Sequence, residues 1–308
     1  MDIVFMGTPE FAVPCLERLI TDGHNVKGVF TQPDKPRGRG HKMQFPPVKQ
    51  CAVDAGIPVY QPLKMRDGEA LNILKELNPE LVIVVAYGKI LPEEILCFPK
   101  YGCINIHASL LPRYRGAAPI QWCVLNGEAV SGVTSMQMDV GLDTGDMLLS
   151  KSVEIGKNET AGELHDKLSV LGADVLSETI SLLIEGKLEP QKQNDAESNY
   201  SPMLSKDLCP IDWNESAQSV HNKVRGLSPW PVATTKWGDK TVKIHATVIA
   251  GDVNAQPGKV VVSDRKLVVA CGENTSVEIL TLQLEGKRAM SADDFLRGNP
   301  IEVGTIFE

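Results

Sequence analysis

The segment MDIVFMGTPEFAVPCLERLITDGHNVKGVFT, residues 1–31, sets the architecture. Ile3-Val4-Phe5-Met6 is an apolar run of strand length. Gly7-Thr8-Pro9-Glu10 turns the chain into a helix, with Thr8 expected at the N-cap, Pro9 at the first helical position and Glu10 at the positive helix end. Phe11, Val13, Leu16, Leu19 and Ile20 recur at helical spacing and give that helix its apolar side. Val26 to Thr31 is a second strand. Strand, helix and strand at this spacing make a βαβ unit, and so a doubly wound α/β domain on a parallel sheet. The first turn holds one glycine and no G-x-G-x-x-G, which disfavours a nicotinamide oxidoreductase and leaves another ligand for the switch point of the sheet.

Outward from this unit, the pattern predicts a helix over 48–55, a short strand at Val59-Tyr60, a helix over 68–77 and a buried strand over 81–86. A short helix at 93–96 and a strand over 103–107 follow. Further on come a helix over 120–126, a strand over 133–138, an extended piece over 146–150 and a long amphipathic helix over 161–185 that closes the first domain, 1–189. Residues 190–207 are polar, hold Pro190, Asn194, Asn199 and Pro202, and read as a linker. In 208–308 one helix over 215–226 is followed by short alternating strands at even spacing, the signature of a small β-barrel.

The chemistry concentrates in GCINIHASLLPRYRGAAP, residues 102–119, and MQMDVGLDTGD, residues 136–146. Side chains alternate along a strand, so Asn105 and His107 face one side and Ile104 and Ile106 the other. Asp143 lies in the Gly-rich turn 141–146. A carboxylate that meets this histidine holds it protonated and accepts a proton in turn. An amide, an imidazole and a carboxylate suffice to stabilise an oxyanion and move a proton at a carbonyl centre. Local sequence alone leaves Asp143 as an Asx-turn residue, with Asp139 and Asp146 as rivals. Residues 32–49, QPDKPRGRGHKMQFPPVK, set Lys35, Arg37, Arg39, Lys42 and Lys49 against Asp34 alone. This is either a solvated surface loop or an arm that grips phosphates.

Asn105, His107, the run Ser109-Leu110-Leu111-Pro112 and Asp143 resemble the site of the folate-dependent formyltransferases. From GTPEFAVP at 7–14 to its end, the chain is similar to the branch of that family that acts on methionyl-tRNA. The resemblance implies Asn105, His107 and Asp143 as catalytic residues and 10-formyltetrahydrofolate as formyl donor, without a metal. Ser109, Leu110, Leu111 and Pro112 would line the folate site, with Tyr87 as a wall for the pterin. The acceptor would be initiator methionyl-tRNA, gripped by the 32–49 segment through Arg37, Arg39 and Lys42. The second domain would be OB-like and bind tRNA, with Lys206 and Lys287 foremost among candidates that include Lys223, Arg225, Lys243 and Arg288. Trp213, Trp230 and Trp237 are either base-stacking or core residues, and core packing is the better reading.

Bulk composition agrees with a two-domain globular protein. The seven cysteines are scattered without a C-x-x-C pair, which points to a reducing compartment and no structural zinc. The start shows no basic, apolar leader and no run long enough to span a bilayer, so a cytoplasmic monomer without membrane partners is expected. The net charge of −8 disfavours a general nucleic-acid binder. It is unevenly spread: residues 208–308 carry eleven Lys and Arg against twelve Asp and Glu, the remainder twenty against twenty-seven. Formyl transfer to a small amine, such as a nucleotide sugar, is the alternative activity, and a non-catalytic RNA-binding protein the alternative class.

Overall fold

A computed structural model describes residues 1–37 and 42–308. In chain order the elements are β1 (Asp2–Gly7), α1 (Val13–Thr21), β2 (Asn25–Phe30), β3 (Lys35–Arg37), β4 (Lys42–Gln44), α2 (Pro47–Asp54), β5 (Val59–Tyr60), α3 (Glu69–Leu77), β6 (Leu81–Val85), α4 (Glu93–Leu96), β7 (Cys103–His107), β8 (Arg115–Gly116), α5 (Pro119–Leu125), β9 (Val130–Gln137), β10 (Met147–Glu154) and α6 (Ala161–Ile184). There follow β11 (Tyr200–Ser201), α7 (Ala217–Gly226), β12 (Ala233–Trp237), β13 (Lys240–Asp252), β14 (Val260–Asp264), β15 (Lys266–Ala270), β16 (Thr275–Leu284), β17 (Met290–Ser291) and α8 (Ala292–Gly298). The chain packs into two compact units. One comprises Met1–Gly116, Gly132–Val153 and His165–Tyr200; the other comprises Ala117–Ser131, Glu154–Leu164 and Ser201–Glu308.

The first unit is built on a seven-stranded sheet of order β10-β9-β7-β6-β1-β2-β5. β1 lies parallel to both β2 and β6, with Phe5 opposite Val29 on one side and Ile83 on the other. Both faces are covered, which is why β1 and β6 are continuous apolar runs rather than alternating ones. Val4, Met6, Val82, Val84 and Cys103 join one core with Phe30, Leu74 and Ile95. On the other face Ile3, Phe5 and Ile83 are equally inaccessible. Each such side chain stabilises by roughly 1.5–3 kcal/mol. The sheet is not wholly parallel: β9 runs antiparallel to β7, pairing Asn105 with Met136 and His107 with Thr134. Apolar strand sequence carries no direction, so only the connections set it.

The first turn departs from expectation. Thr8 is not an N-cap; a 3-10 turn over Glu10–Ala12 precedes α1, and Pro9 stands before it without a side-chain cap. The Thr8 hydroxyl instead donates to the Tyr87 carbonyl at 3.2 Å and accepts from the Gln32 N–H at 3.2 Å. It thereby ties the ends of β1, β2 and β6 together, where the strand order reverses. The 32–49 segment is not simply a loop: β3 and β4 pair antiparallel, with Lys35 opposite Gln44 and Arg37 opposite Lys42.

The second unit contains an antiparallel sheet of order β12-β13-β16-β15-β14, with β17 beside β16. The last residues join its two edges. Gly304 N–H donates to Val260 O at 2.9 Å and Phe307 N–H to Gly258 O at 2.8 Å, while Lys236 and Glu308 exchange backbone bonds at 2.6 and 3.1 Å. The sheet is thus closed into a small barrel through its C-terminal residues. Its interior holds Val242, Ile244, Leu267, Val277, Ile279, Phe295 and Phe307. Trp213 is part of that core, its indole N–H bonded to Thr235 Oγ1 at 2.9 Å. Trp237 packs against the same cluster, whereas Trp230 is exposed. Among the described residues no helix is long and apolar enough to cross a membrane.

Candidate active site

β7 ends at His107 beside the switch point, at the carboxyl edge of the sheet. Alternation along β7 holds as expected. Ile106 packs on the far side, close enough to α6 that a Cβ on Gly172 would lie 3.3 Å from its Cγ2. Asn105 and His107 share the side of Cys103, whose thiol burial pushes up to about 12.

His107 is buried, and its Nε2 lies 2.9 Å from the Tyr114 carbonyl oxygen. A carbonyl only accepts, so Nε2 carries a hydrogen and Nδ1 is the nitrogen left to exchange one. Nδ1 faces Asp143 Oδ2 at 3.8 Å, beyond a hydrogen bond but within the range of an ion pair. The structure therefore brings together the histidine and the carboxylate separated by thirty-six positions. Asp139 is spent on its own turn, accepting from Gly141 N–H at 3.0 Å and Thr144 Oγ1 at 2.7 Å. Asp143 accepts through Oδ2 from the Gly116 N–H at 2.8 Å. Asp143 has φ +54°, in the left-handed region that Asp tolerates better than most residues. Gly145 is obligatory two residues on, since a Cβ there would meet Gln137 O at 1.7 Å.

Asn105 is half-buried, and its amide makes no hydrogen bond among the described residues. An amide held on the strand without a protein partner keeps its hydrogen-bonding capacity free. The loop after β7 is stiffened by its own bonds. Ser109 is buried, its hydroxyl donating to Arg113 O at 2.7 Å and its carbonyl accepting from Thr134 Oγ1 at 2.8 Å. Leu111 is buried as well, its N–H on Thr134 Oγ1 at 3.2 Å. Leu110 and Pro112 are the partly exposed members of the run, and Leu110 lies over Gly132, where any side chain would collide with it.

Several expectations need correction. The Tyr87 ring is 1 % exposed and packs in the core with its hydroxyl on Met65 Sδ at 3.3 Å, so it offers no wall to a ligand. What Tyr87 presents at the strand end is its carbonyl, taken by Thr8 and Gln32 Nε2. Arg225 is buried and bonded to Asn222 Oδ1 and to the carbonyls of Gly156 and Glu159 at 3.0–3.3 Å, so it is no phosphate contact. Lys49, counted with the cations of the basic segment, is neutralised by Asp34 at 2.7 Å. Lys206 and Lys287 are exposed. Arg37 and Lys42 are backbone partners in the β3–β4 hairpin, and Arg39 lies outside the described residues.

Sequence reasoning missed the groups that hold the site. Tyr114, at φ +59°, aims its carbonyl at His107. Gln193 Nε2 donates to the carbonyls of Asp143 at 2.9 Å and Gly145 at 2.7 Å. Asn199 Oδ1 accepts from the Tyr114 N–H, and Asn199 O from the Arg115 N–H at 3.0 Å. Gln193 and Asn199 come from the stretch read as linker, where nothing local marks them. Among the described residues no three His, Cys, Asp or Glu side chains are grouped to hold a metal.

Residues 1–180 match the formyl transferase family and residues 203–300 the formyl transferase C-terminal domain. The methionyl-tRNA formyltransferase of Caldanaerobacter subterraneus subsp. tengcongensis is 54 % identical over the whole of both chains. That of Geobacter metallireducens is 51 % identical, over 99 % of this chain and 97 % of its own. Among solved structures, an N-formyltransferase from Helicobacter canadensis with folinic acid and dTDP-3-aminofucose shares the fold at 20 % identity, with a TM-score of 0.70 over 90 % of this chain and 98 % of its own. HypX from Aquifex aeolicus in complex with tetrahydrofolic acid does so at 16 % identity, with a TM-score of 0.63 over 99 % of this chain and 50 % of its own. With both domains matched and identity above one half along its full length, the chain belongs to the formyl transferase family, in the company of the methionyl-tRNA formyltransferases.

Proposed function

We propose that this chain transfers the formyl group of 10-formyltetrahydrofolate to the free amino group of initiator methionyl-tRNA in the cytoplasm. The observation that carries the chemistry is an unpartnered Asn105 amide beside a His107–Asp143 pair at the carboxyl edge of the sheet. Full-length identity to methionyl-tRNA formyltransferases carries the choice of acceptor.

The amine nitrogen attacks the formyl carbon, and the carbonyl oxygen takes up negative charge. The Asn105 amide donates to that oxygen; a pre-organised donor of this kind contributes roughly 100–1,000-fold. The attacking nitrogen must lose a proton. His107 and Asp143 take it up, His107 through Nδ1 because Tyr114 occupies Nε2. Asp143 Oδ2 is held by Gly116, which leaves Oδ1 to accept a proton. The intermediate collapses by breaking the bond between the formyl carbon and N10, which receives the proton. Leu110 and Pro112 supply apolar contact for the folate; Ser109 and Leu111 keep the loop rigid from within. The cations of the basic segment, Arg37, Arg39 and Lys42, and the exposed Lys206 and Lys287 supply charge for the tRNA backbone.

The test is a formyl-transfer assay with 10-formyltetrahydrofolate, offering initiator methionyl-tRNA, elongator methionyl-tRNA or a small amino sugar nucleotide. Transfer confined to the initiator species is expected. Transfer only to the small amine would retain the chemistry and overturn the acceptor.

A further inference from the structure

We propose that Gln193 is the positioning residue for Asp143, acting by fixing the separation between the Asp143 turn and the strand that presents Gly116. This rests on the role assigned to Asp143 above.

The 139–146 turn has little apolar burial to hold it. Val140 and Leu142, the apolar residues of that turn before Asp143, are 72 % and 55 % exposed. The turn must therefore be held by polar contacts: Asp139 supplies them from within, and the Gln193 amide from outside. Its Nε2 donates both hydrogens, to Asp143 O at 2.9 Å and Gly145 O at 2.7 Å. Its Oε1 accepts from Arg115 Nε at 2.9 Å and Nη2 at 2.8 Å. Arg115 immediately precedes Gly116, whose N–H holds Asp143 Oδ2 at 2.8 Å. One side-chain amide thus bridges the backbone of the carboxylate and the residue beside its N–H donor. The 3.8 Å gap from Asp143 Oδ2 to His107 Nδ1 is set across that bridge. An amide is the group this position requires, because it faces two carbonyls on one side and a guanidinium on the other. A carboxylate satisfies only the guanidinium, and a methylene chain satisfies neither.

The experiment is a double-substitution cycle on the full chain. Gln193→Glu keeps the shape and the contact to Arg115 but sets an acceptor against two carbonyls. Gln193→Met removes the amide at similar volume. Each is made alone and with Asp143→Asn, and each is checked for fold by circular dichroism and for folate affinity by titration. Misplacing a reacting group by about 1 Å costs on the order of 100-fold. Gln193→Glu is therefore expected to lower kcat about 10- to 100-fold with KM for both substrates little changed. In the Asp143→Asn background it is expected to cost almost nothing further, because the group it positions is already disabled. A kcat equal to that of the unsubstituted chain overturns the proposal. So does a loss that multiplies with that of Asp143→Asn, which marks a general structural role. Should Gln193→Glu fail to fold, Gln193→Met decides by the same two criteria. Asp143→Asn at full rate, with normal transfer by the unsubstituted chain, would remove the role of Asp143 and this proposal with it while leaving the acceptor assignment standing.

Discussion

Two polar clusters stand in the first unit at the ends of its strands, and they are built in opposite ways. Around Asp34 the polar ends are matched to one another. Lys49 Nζ bonds both carboxylate oxygens at 2.7–2.8 Å and Gln61 Oε1 at 2.8 Å, while Gln61 Nε2 bonds Thr31 Oγ1, Gln32 O and Asp34 Oδ1. Around His107 the same kinds of groups are held in place but left incomplete: the Asn105 amide is unpartnered and His107 Nδ1 stands 3.8 Å from its carboxylate. A closed network rigidifies, and each partner removed leaves a buried group without its bond. An open one keeps its hydrogen-bonding capacity for something else. The first is a joint, clamping residue 34 before the β3–β4 hairpin to residue 49 after it. The second is the proposed site.

The largest expected effect breaks the open cluster. Asp143→Asn should lower turnover about 100- to 10,000-fold, the range for a lost acid–base group, with little loss of thermal stability. Asp34→Asn should show the reverse, an unchanged kcat with a lowered unfolding midpoint. Steady-state kinetics and urea unfolding on both variants check the contrast.

Next in size is Lys49→Met, which leaves the Asp34 carboxylate and Gln61 without their cation. A hydrogen bond to a charged group contributes about 1.5–3 kcal/mol, and urea unfolding should register a loss in that range. A Lys49→Met variant as stable as the parent would mean that the cluster is not a joint.

Acid sharpens the same point. Bonds from Lys49 first, and from Gln61, hold the Asp34 carboxyl below its ordinary value of 3.8. A carboxyl lowered in the folded state contributes stability that is present above the unfolded value and is lost as pH falls through the folded one. Stability should therefore drop more steeply below about pH 4 in the parent than in Asp34→Asn. Parallel curves for the two would contradict the clamp.

The smallest effects fall on the second unit. Lys287→Glu, at an exposed turn, should change stability by less than about 0.5 kcal/mol, yet raise KM for tRNA and flatten its salt dependence. Arg225→Met should do the opposite, since that side chain is bound to the carbonyls of Gly156 and Glu159. Kinetics at two salt concentrations separate the two residues.

Much of this was legible in sequence because it is local. Apolar run length marked β1 and β6, and alternation along β7 put Asn105 and His107 on one face. What was not legible is set by long-range pairing. Thr8 has the residue type and place of an N-cap, but its hydroxyl finds a carbonyl seventy-nine positions away. Tyr87 sits at a strand end where a ligand wall is natural, yet core packing claims its ring. Gln193 and Asn199 lie in polar sequence that reads as linker, and only the folded chain brings them to Asp143 and Tyr114. Residues 304–308 carry no regular strand pattern, and they close the barrel through backbone bonds to two strands distant in sequence.

The most direct test of the account is the single-turnover rate of formyl transfer by Asn105→Ala with both substrates saturating. The open site predicts a fall of roughly 100–1,000-fold with folate affinity retained, because the lost amide serves the oxyanion rather than the resting substrate. A rate equal to that of the unsubstituted chain would contradict it and return Asn105 to the role of a strand-end residue.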